Sequence, residues 1–356
     1  MPRPIRATIS TSALAHNLAL ARRHAGGARI WAVVKANAYG HGLERSACAL
    51  ADADGFALLD LEEAARLRRI GVAKPILLLE GIFQAADVAR LAQYDLTPVI
   101  HCAEQLAILE DTPPERPLDV YLKVNSGMNR LGFSGGDLGA AWDALRQHPG
   151  VRSVTLMTHF ADAEGDEGVA GQLERLDAMT RTFQAPRCLA NSAALLRHPQ
   201  TRADWVRPGI MLYGCSPFPD QSAQALGLRP AMTLASEIIG VQRLRPGERV
   251  GYGFSYEVRS SMNIGVVACG YGDGYPRHAP SGTPVLVAGR PARTVGRVSM
   301  DLLCVDISEL SQAGVGTPVT LWGEGLSADQ VAAAAGTVSY QLLCALAARL
   351  PVTEAA

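Results

Sequence analysis

Short apolar runs alternate with helix-like segments through the first two-thirds of this chain. Residues 12–25 place Leu14, Leu18 and Ala21 on one face, which predicts an amphipathic helix, and residues 61–67 carry a similar pattern. Buried strands are predicted at residues 29–34, 55–59, 75–79, 97–100, 119–124, 154–157 and 210–213. Continuous apolar strands alternating with helices are typical of a parallel sheet, and their number favours a (β/α)8 TIM-like barrel over an open sheet.

The pattern changes after the Gly/Pro-rich stretch at residues 208–220. From about Met232, strand-like runs are separated by turn sequences at residues 245–248, 270–274, 280–283 and 288–291, which predicts a mainly-β domain. A helix is expected from Ser327, where a capping box is plausible, to near Gly336, and a last helix near Ser339. The predicted α/β architecture is an N-terminal barrel over residues 1–225 and a C-terminal mainly-β domain over residues 226–356.

Composition narrows the classes of partner. The formal net charge of -1 provides no broad attraction for nucleic acid or an anionic membrane. The seven cysteines are scattered and form no C-x-x-C pair, which argues against disulfides or a zinc ribbon; no metal site is predicted. The first residues lack the apolar stretch of a signal peptide, and no run is long enough to span a membrane. We expect a cytoplasmic protein that acts on small molecules.

Lysine is rare in this chain, since only three of its 33 basic residues are lysines. Lys35 lies at the carboxyl end of the first predicted barrel strand, and in a parallel barrel that end faces the active site. A lysine at a strand end is often simply solvated. A partly desolvated lysine, however, loses proton affinity and can form a Schiff base with a carbonyl group.

Nine motifs, in this order, give the chain a resemblance to a known family. They are AVVKANAYGHG, LKVNSGMNRLGF, MTHFADAE, ANSAA, DWVRPGIMLYG, VGYG, GYGDGYPR, VGRVSMD and GTVSYQLL. The sequence resembles bacterial alanine racemases along nearly its whole length. The resemblance implies an isomerase that interconverts L- and D-alanine with the cofactor pyridoxal 5′-phosphate (PLP).

The resemblance also implies which residues hold the cofactor. Lys35 would carry PLP as a Schiff base, Arg207 would face the pyridine nitrogen, and His159 would lie beside the ring and bond Arg207. The phosphate would be bound by Tyr39, Ser192, Tyr340 and the backbone at Gly209 and Ile210. Without the resemblance, His159 is more typical of a core histidine, whereas a surface charge and a functional role are about equally expected for Arg207. Asn191-Ser192 is typical of a helix N-cap, which is compatible with phosphate binding.

An arginine at the pyridine nitrogen has a chemical consequence. Guanidinium only donates hydrogen bonds, so the nitrogen beside Arg207 would act as an acceptor and stay unprotonated. An acidic partner would instead favour a protonated ring and a longer-lived carbanion. The weaker electron sink beside arginine disfavours transamination and is compatible with racemisation if proton return is fast.

Racemisation requires proton transfer on both faces of the α-carbon. The resemblance assigns one face to Lys35 and the other to Tyr252 of a second subunit, and it places Arg130 near the cofactor oxygen and the substrate carboxylate. It also assigns pocket closure to the partner's Met300, with its neighbour Asp301, and an entry gate to Tyr271, Arg277 and Arg297. These roles imply a homodimer with shared active sites.

Lys123 matches a lysine that is carbamylated in some relatives and then braces the arginine matching Arg130. The commoner family string reads Asp-Thr after Lys-Val, whereas this chain has Asn125-Ser126, so the local electrostatics differ.

Two other functions are compatible with parts of the pattern. A fold-related PLP decarboxylase for basic amino acids also pairs a barrel with a β domain, but such enzymes usually place an acidic residue at the pyridine nitrogen. A non-catalytic PLP-binding protein would resemble the barrel alone. The sequence also leaves open side activity on serine, and whether the D-alanine would supply peptidoglycan or the reaction would serve alanine catabolism.

Overall fold

Eight parallel strands close into a barrel in the computed structural model, which describes residues 3–355. The barrel strands are β2 (Arg29–Val33), β3 (Gly55–Leu58), β4 (Ile76–Leu78), β5 (Leu96–Ile100), β6 (Leu118–Lys123), β7 (Val151–Met157), β8 (Arg187–Cys188) and β9 (Trp205–Val206). Strand β2 pairs with β9 through Arg29 with Trp205 and Ile30 with Val206, which completes the ring. The predicted TIM-like barrel is therefore confirmed.

Helices cover the outside of this barrel. They are α1 (Thr11–Ala25), α3 (Leu43–Ala49), α4 (Leu61–Arg69), α5 (Ala85–Tyr94), α6 (Ala103–Asp111), α7 (Gly135–Gln147), α8 (Ala170–Thr180) and α9 (Ser192–Arg197), and a short turn, α2 (Lys35–Tyr39), follows β2. The predicted helix at residues 12–25 begins where the Ser10 side chain accepts a hydrogen bond from the Ala13 amide. It ends at Gly26, which has φ of 61° and provides the left-handed cap.

The strand predicted at residues 210–213 is wrong. Ile210–Tyr213 forms a 3-10 helix that ends at Gly214, where φ is 81°. All four residues are buried, and an apolar run buried on every side carries no period that separates strand from helix. The last two barrel strands, β8 and β9, contain only two residues each, and the apolar pattern did not identify them as strands.

The remaining strands form one curled sheet. They are β1 (Arg6–Ser10), β10 (Met232–Leu244), β13 (Met262–Val267), β14 (Pro284–Val287), β15 (Arg290–Val295), β16 (Leu303–Asp306), β17 (Pro318–Trp322) and β18 (Val352–Ala355); a separate small hairpin joins β11 (Arg249–Val250) to β12 (Tyr256–Glu257). Long strand β10 pairs with β17 and also with β13, so the sheet bends back on itself. The mainly-β C-terminal domain is confirmed.

Both ends of the described chain meet in this sheet. Strand β1 runs antiparallel to β10 and parallel to β18. It lies within residues 1–225, the range predicted for the barrel, but it pairs in the β sheet. The two C-terminal helices, α10 (Ala328–Ala334) and α11 (Ser339–Cys344), begin where the sequence predicted, and the Ser327 side chain caps α10 by accepting from the Gln330 amide. No helix in the described residues has both the length and the apolar character needed to cross a bilayer.

Candidate active site

A cavity of about 760 Å³ opens at the carboxyl ends of the barrel strands. This is the end at which (β/α)8 barrels carry their functional loops. Lys35 follows β2, Lys123 ends β6, and Arg207 follows β9. Predicted site residues line the cavity as follows: Lys35, Tyr39, Lys123, Arg130, His159, Ser192, Arg207, Gly209, Ile210 and Tyr340. The barrel therefore brings together ten residues that are up to 305 positions apart in the chain.

Lys35 begins a left-handed turn. The next four residues, Ala36 to Tyr39, have φ between 52° and 54°, and none of them is glycine. This conformation costs about 1–2 kcal/mol for each residue with a Cβ atom. Asn37 helps to hold the turn, since its side-chain oxygen accepts a hydrogen bond from the Leu43 amide at 2.9 Å. The turn directs both Lys35 and Tyr39 to the cavity.

Backbone and hydroxyl groups form a close cradle at one side of the cavity. The Ser192 hydroxyl accepts from the Gly209 amide at 2.8 Å, and a Cβ atom at Gly209 would lie 2.6 Å from the Tyr39 hydroxyl oxygen. The rings of Tyr39 and Tyr340 are 6.0 Å apart. Burial raises the pKa of both phenols, so their hydroxyls remain protonated and can donate hydrogen bonds to an anion.

Positive charge dominates the cavity. Burial, followed by the charge of Arg130, lowers the pKa of Lys35. Burial, followed by Arg207 and Arg130, lowers the pKa of Lys123 to about 8. Burial and the same arginines lower the pKa of His159 to about 3, so its imidazole is neutral at neutral pH. Such a cationic cavity is suited to an anionic ligand with phosphate or carboxylate groups.

Arg207 is held by neutral acceptors. It is only 4% exposed, and its guanidinium donates to the carbonyl oxygens of Cys188 at 2.6 Å and Thr158 at 2.7 Å. A further contact reaches the Cys188 sulfur at 3.1 Å. The hydrogen bond to His159 that the resemblance implied is not formed: both terminal guanidinium nitrogens donate to these neutral acceptors, and Nε has no hydrogen-bond partner among the described residues. No carboxylate pairs with Arg207 in the part of the chain that the structure describes, so no ion pair offsets its charge at the cavity wall.

The other predicted residues lie on the β domain and outside this cavity. Tyr252 and Met300 are exposed by 69% and 53%, and Tyr271 by 40%. Arg297 packs beneath the loop that carries Tyr252, with a guanidinium nitrogen 3.1 Å from the position of a Cβ at Gly253. Predicted gate residue Arg277, like Met300, does not contribute to the cavity lining in the single chain.

Among the further residues that line the cavity without having been predicted are Glu80, His101 and Cys344, whose side chains are titratable. Glu80 follows β4, His101 follows β5, and Cys344 ends α11. Glu80 raises the pKa of Lys35 and Lys123, opposing the effects of burial and the arginines. The first two follow predicted strands, so the rule that strand ends face the site could have identified them. Cys344 carries no such signal, because tertiary packing brings its helix to the barrel.

Comparison with known proteins gives matches along the whole chain. The family models described as "Alanine racemase, N-terminal domain" and "Alanine racemase, C-terminal domain" match residues 9–217 and 231–354. Alanine racemases from Nitrosospira multiformis and Erwinia tasmaniensis are each 56% identical over 353 residues, covering 98% and 99% of this chain and 99% of each relative.

Solved structures agree with this similarity. The biosynthetic alanine racemase from Pseudomonas aeruginosa superposes with a TM-score of 0.97 at 49% identity, over 99% of this chain and 100% of that one. The alanine racemase from Acinetobacter baumannii gives a TM-score of 0.93 at 36% identity, with the same coverage.

Proposed function

Because this chain belongs to the alanine racemase family, we propose that it interconverts L-alanine and D-alanine with PLP held at Lys35. The observation that carries the proposal is the convergence of Lys35, Arg130 and Arg207 on one cavity beside the Ser192–Gly209 cradle. A lysine with a lowered pKa supplies an amine, and the surrounding cations suit an anionic cofactor and an amino-acid carboxylate.

The cavity fits the chemistry of PLP. A side chain at Gly209 would collide with Tyr39. Because glycine has no side chain, a phosphate can come close to the backbone amides at this position. Protonated hydroxyls of Tyr39 and Tyr340, with Ser192 and the backbone at Gly209 and Ile210, would bind that phosphate. When bound, PLP would supply an electron-withdrawing ring that acidifies the α-hydrogen of an attached amino acid.

Arg207 favours racemisation over other PLP reactions. Its donors are directed by carbonyl oxygens, and it has only donors to offer a ring nitrogen. Arg207 would keep a ring nitrogen that accepts from it unprotonated, which would make the ring a weaker electron sink and disfavour transamination. The same arginine argues against a decarboxylase, for which an acidic residue at this position would be expected.

Two residues would move the proton. Lys35 would serve one face of the α-carbon, and its lowered pKa leaves more of the amine unprotonated than in an ordinary lysine at the same pH. Tyr252 of a second subunit would serve the other face. Its high exposure and its position outside the cavity of its own chain suit a residue that completes a neighbouring site.

A homodimer with shared sites follows from that assignment. Arg130 would bind the substrate carboxylate from within the barrel, and the partner's Met300 would limit the size of the substrate side chain. Tyr271, Arg277 and Arg297 would form the entry gate on the same partner surface. A strictly monomeric sample is therefore expected to be nearly inactive, and full activity in such a sample would contradict shared sites.

Lys123 is proposed as a carbamylation site. Carbamylation requires a neutral amine, and the pKa of about 8 leaves an appreciable unprotonated fraction near neutral pH. The resulting anion would lie beside Arg130 and Arg207, the cations that lower this pKa. A ¹³C NMR carbamate signal after incubation with ¹³C-bicarbonate, absent in Lys123→Met, is expected; an unmodified Lys123 in mild, neutral protein would contradict it.

The reaction can be tested in deuterated water. PLP-loaded protein incubated with L-alanine should give equal amounts of the two enantiomers, with deuterium at the α-carbon. Lys35→Ala should lose both effects. Unlabelled L-alanine after incubation would contradict alanine as the substrate, and pyruvate or an amine as the main product would contradict the role of Arg207.

The cellular role has two candidates, both in the cytoplasm. The D-alanine formed would supply peptidoglycan synthesis, or the enzyme would feed alanine catabolism. Constitutive expression would support the first role, and induction by alanine would support the second.

A further inference from the structure

His41 is a buried histidine immediately after the left-handed turn. Its side chain is 0% exposed, and Nδ1 lies 2.9 Å from the Tyr39 carbonyl oxygen and 3.1 Å from that of Ala38. Carbonyl oxygens only accept hydrogen bonds, so Nδ1 carries the proton and donates to both. Among the described residues, Nε2 has no hydrogen-bond partner. Burial lowers the pKa of His41 to about 4, so the ring is neutral at neutral pH, and its polar contacts within residues 3–355 are to the turn alone.

Aromatic packing fixes the plane of this imidazole. The His41 ring lies 4.6 Å from the ring of Tyr213, and Tyr213 also stacks on Tyr39 with the same centroid separation. The Tyr213 hydroxyl donates to the Val33 carbonyl at 2.8 Å, which anchors it to the end of β2. His41 and Tyr39 are thus tied to one buried residue that is itself fixed to the barrel.

We propose that His41 is a positioning residue that holds the Ala36–Tyr39 turn in its left-handed form and so aims Lys35 and Tyr39 at the cofactor. The inference rests on the proposed function of Lys35. Four consecutive residues with positive φ need compensating contacts to persist, and the two hydrogen bonds from Nδ1 supply contacts at the end of the turn.

Loss of these hydrogen bonds should act on cofactor binding. If the turn relaxes in a fraction of the PLP-free molecules, only the remainder can bind, and the measured dissociation constant rises in inverse proportion to that fraction. A histidine that serves only to fill the core would instead lower global stability and leave the affinity of folded protein for PLP unchanged. The two roles therefore differ in a measurable way.

Three substitutions separate donor placement from packing. His41→Asn keeps an N–H donor near the position of Nδ1, whereas His41→Leu has similar size and no donor. His41→Gln carries the same amide, but its longer side chain places the donor near the position of Nε2. All three remove the ring, so their stacking losses against Tyr213 are matched.

The experiment measures the PLP dissociation constant of each full-length variant by absorbance titration, together with its urea unfolding midpoint. We expect His41→Leu and His41→Gln to raise the dissociation constant by about tenfold to a hundredfold, the effect of losing the one buried N–H donor that the two carbonyl oxygens share. His41→Asn should stay within about threefold of wild type, although its unfolding midpoint falls with the others. If His41→Leu does not fold, the comparison of His41→Asn with His41→Gln carries the test.

Two outcomes would overturn the inference. Equal PLP affinity in wild type and in the variants without the Nδ1 donor would reduce His41 to a packing role, as would a His41→Asn variant that binds no better than His41→Gln. A wild-type protein that binds no PLP at Lys35 would overturn the proposed function itself, and peptide mapping after borohydride reduction distinguishes that failure from the others.

Discussion

Replacing Gly209 with alanine should disturb the cofactor cradle through a single contact. Gly209 has φ of -122° and ψ of -91°, so the substitution meets no left-handed backbone requirement. Space is the constraint, because the new Cβ would lie 2.6 Å from the Tyr39 hydroxyl oxygen and 3.4 Å from the Cζ atom of the same ring. Tyr39 is 6% exposed and stacked on Tyr213, so it cannot retreat freely.

The size of the effect follows from this geometry. Overpacking of a well-filled site costs about 1–3 kcal/mol, equivalent to about a 5-fold to 150-fold change in an equilibrium constant. The cost appears as lower stability if Tyr39 stays in place, and as a higher PLP dissociation constant if its hydroxyl moves away from the phosphate cradle. Urea unfolding and absorbance titration of the full-length protein measure the two contributions.

A double variant provides the control. Tyr39→Phe removes the atom that the new Cβ would strike, and the nearest remaining ring atom is then at the ordinary contact distance of 3.4 Å. The combined losses of Gly209→Ala/Tyr39→Phe should be smaller than the sum of the two single losses by about 1 kcal/mol or more. Wild-type stability and affinity in Gly209→Ala, or strictly additive losses in the double variant, would refute the reasoning.

Three further predictions concern assembly, charge and stability. Co-expressed Lys35→Ala and Tyr252→Phe chains should regain about a quarter of wild-type activity, because half of randomly mixed dimers carry one intact shared site; no recovery would contradict such sites. Lys123 has a folded pKa of about 8 against 10.5 unfolded, so its protonated form destabilises the fold below about pH 8 and the penalty disappears as pH rises to 10.5. In CO2-free buffer at pH 7, Lys123→Met should therefore unfold at higher urea than wild type, with a free energy of unfolding larger by on the order of 3 kcal/mol, and this difference should shrink by pH 10. A difference that stays constant with pH would exclude titration of Lys123 as its cause. The Asp273 side chain is 1% exposed and accepts from two arginines, so Asp273→Asn should lower the free energy of unfolding by about 1–3 kcal/mol. Asp177 lies in an exposed ion pair, so Asp177→Asn should lower it by less than about 1 kcal/mol. Equal urea midpoints for the two variants would contradict this difference.

Much of the fold and of the site could be predicted from the periodicity of apolar residues along the sequence and from the residues that directly follow predicted strands. Apolar runs with helical segments between them identified six of the eight barrel strands, and the rule for strand ends located Lys35 before any comparison. The family resemblance then supplied the other nine predicted residues that line the cavity. These signals are local, because each lies within a stretch of about ten residues.

Other features depend on contacts between distant parts of the chain. The 3-10 helix at Ile210–Tyr213 and the two-residue strands β8 and β9 have no periodicity long enough to read. Strand β1 pairs with residues more than 200 positions away, and no pattern within its five residues indicates that partner.

The sequence by itself determined the alternation of strands and helices, the identity of the residues at the strand ends, and the family to which they belong. Only the tertiary structure decided the left-handed turn after Lys35, the carbonyl partners of Arg207 and the position of Glu80 beside the lysines. Non-glycine residues rarely adopt positive φ by their own preference, so such a turn persists only where distant groups stabilise it. A buried charge likewise depends on acceptors that the closed barrel brings to it, and these have no fixed spacing along the chain.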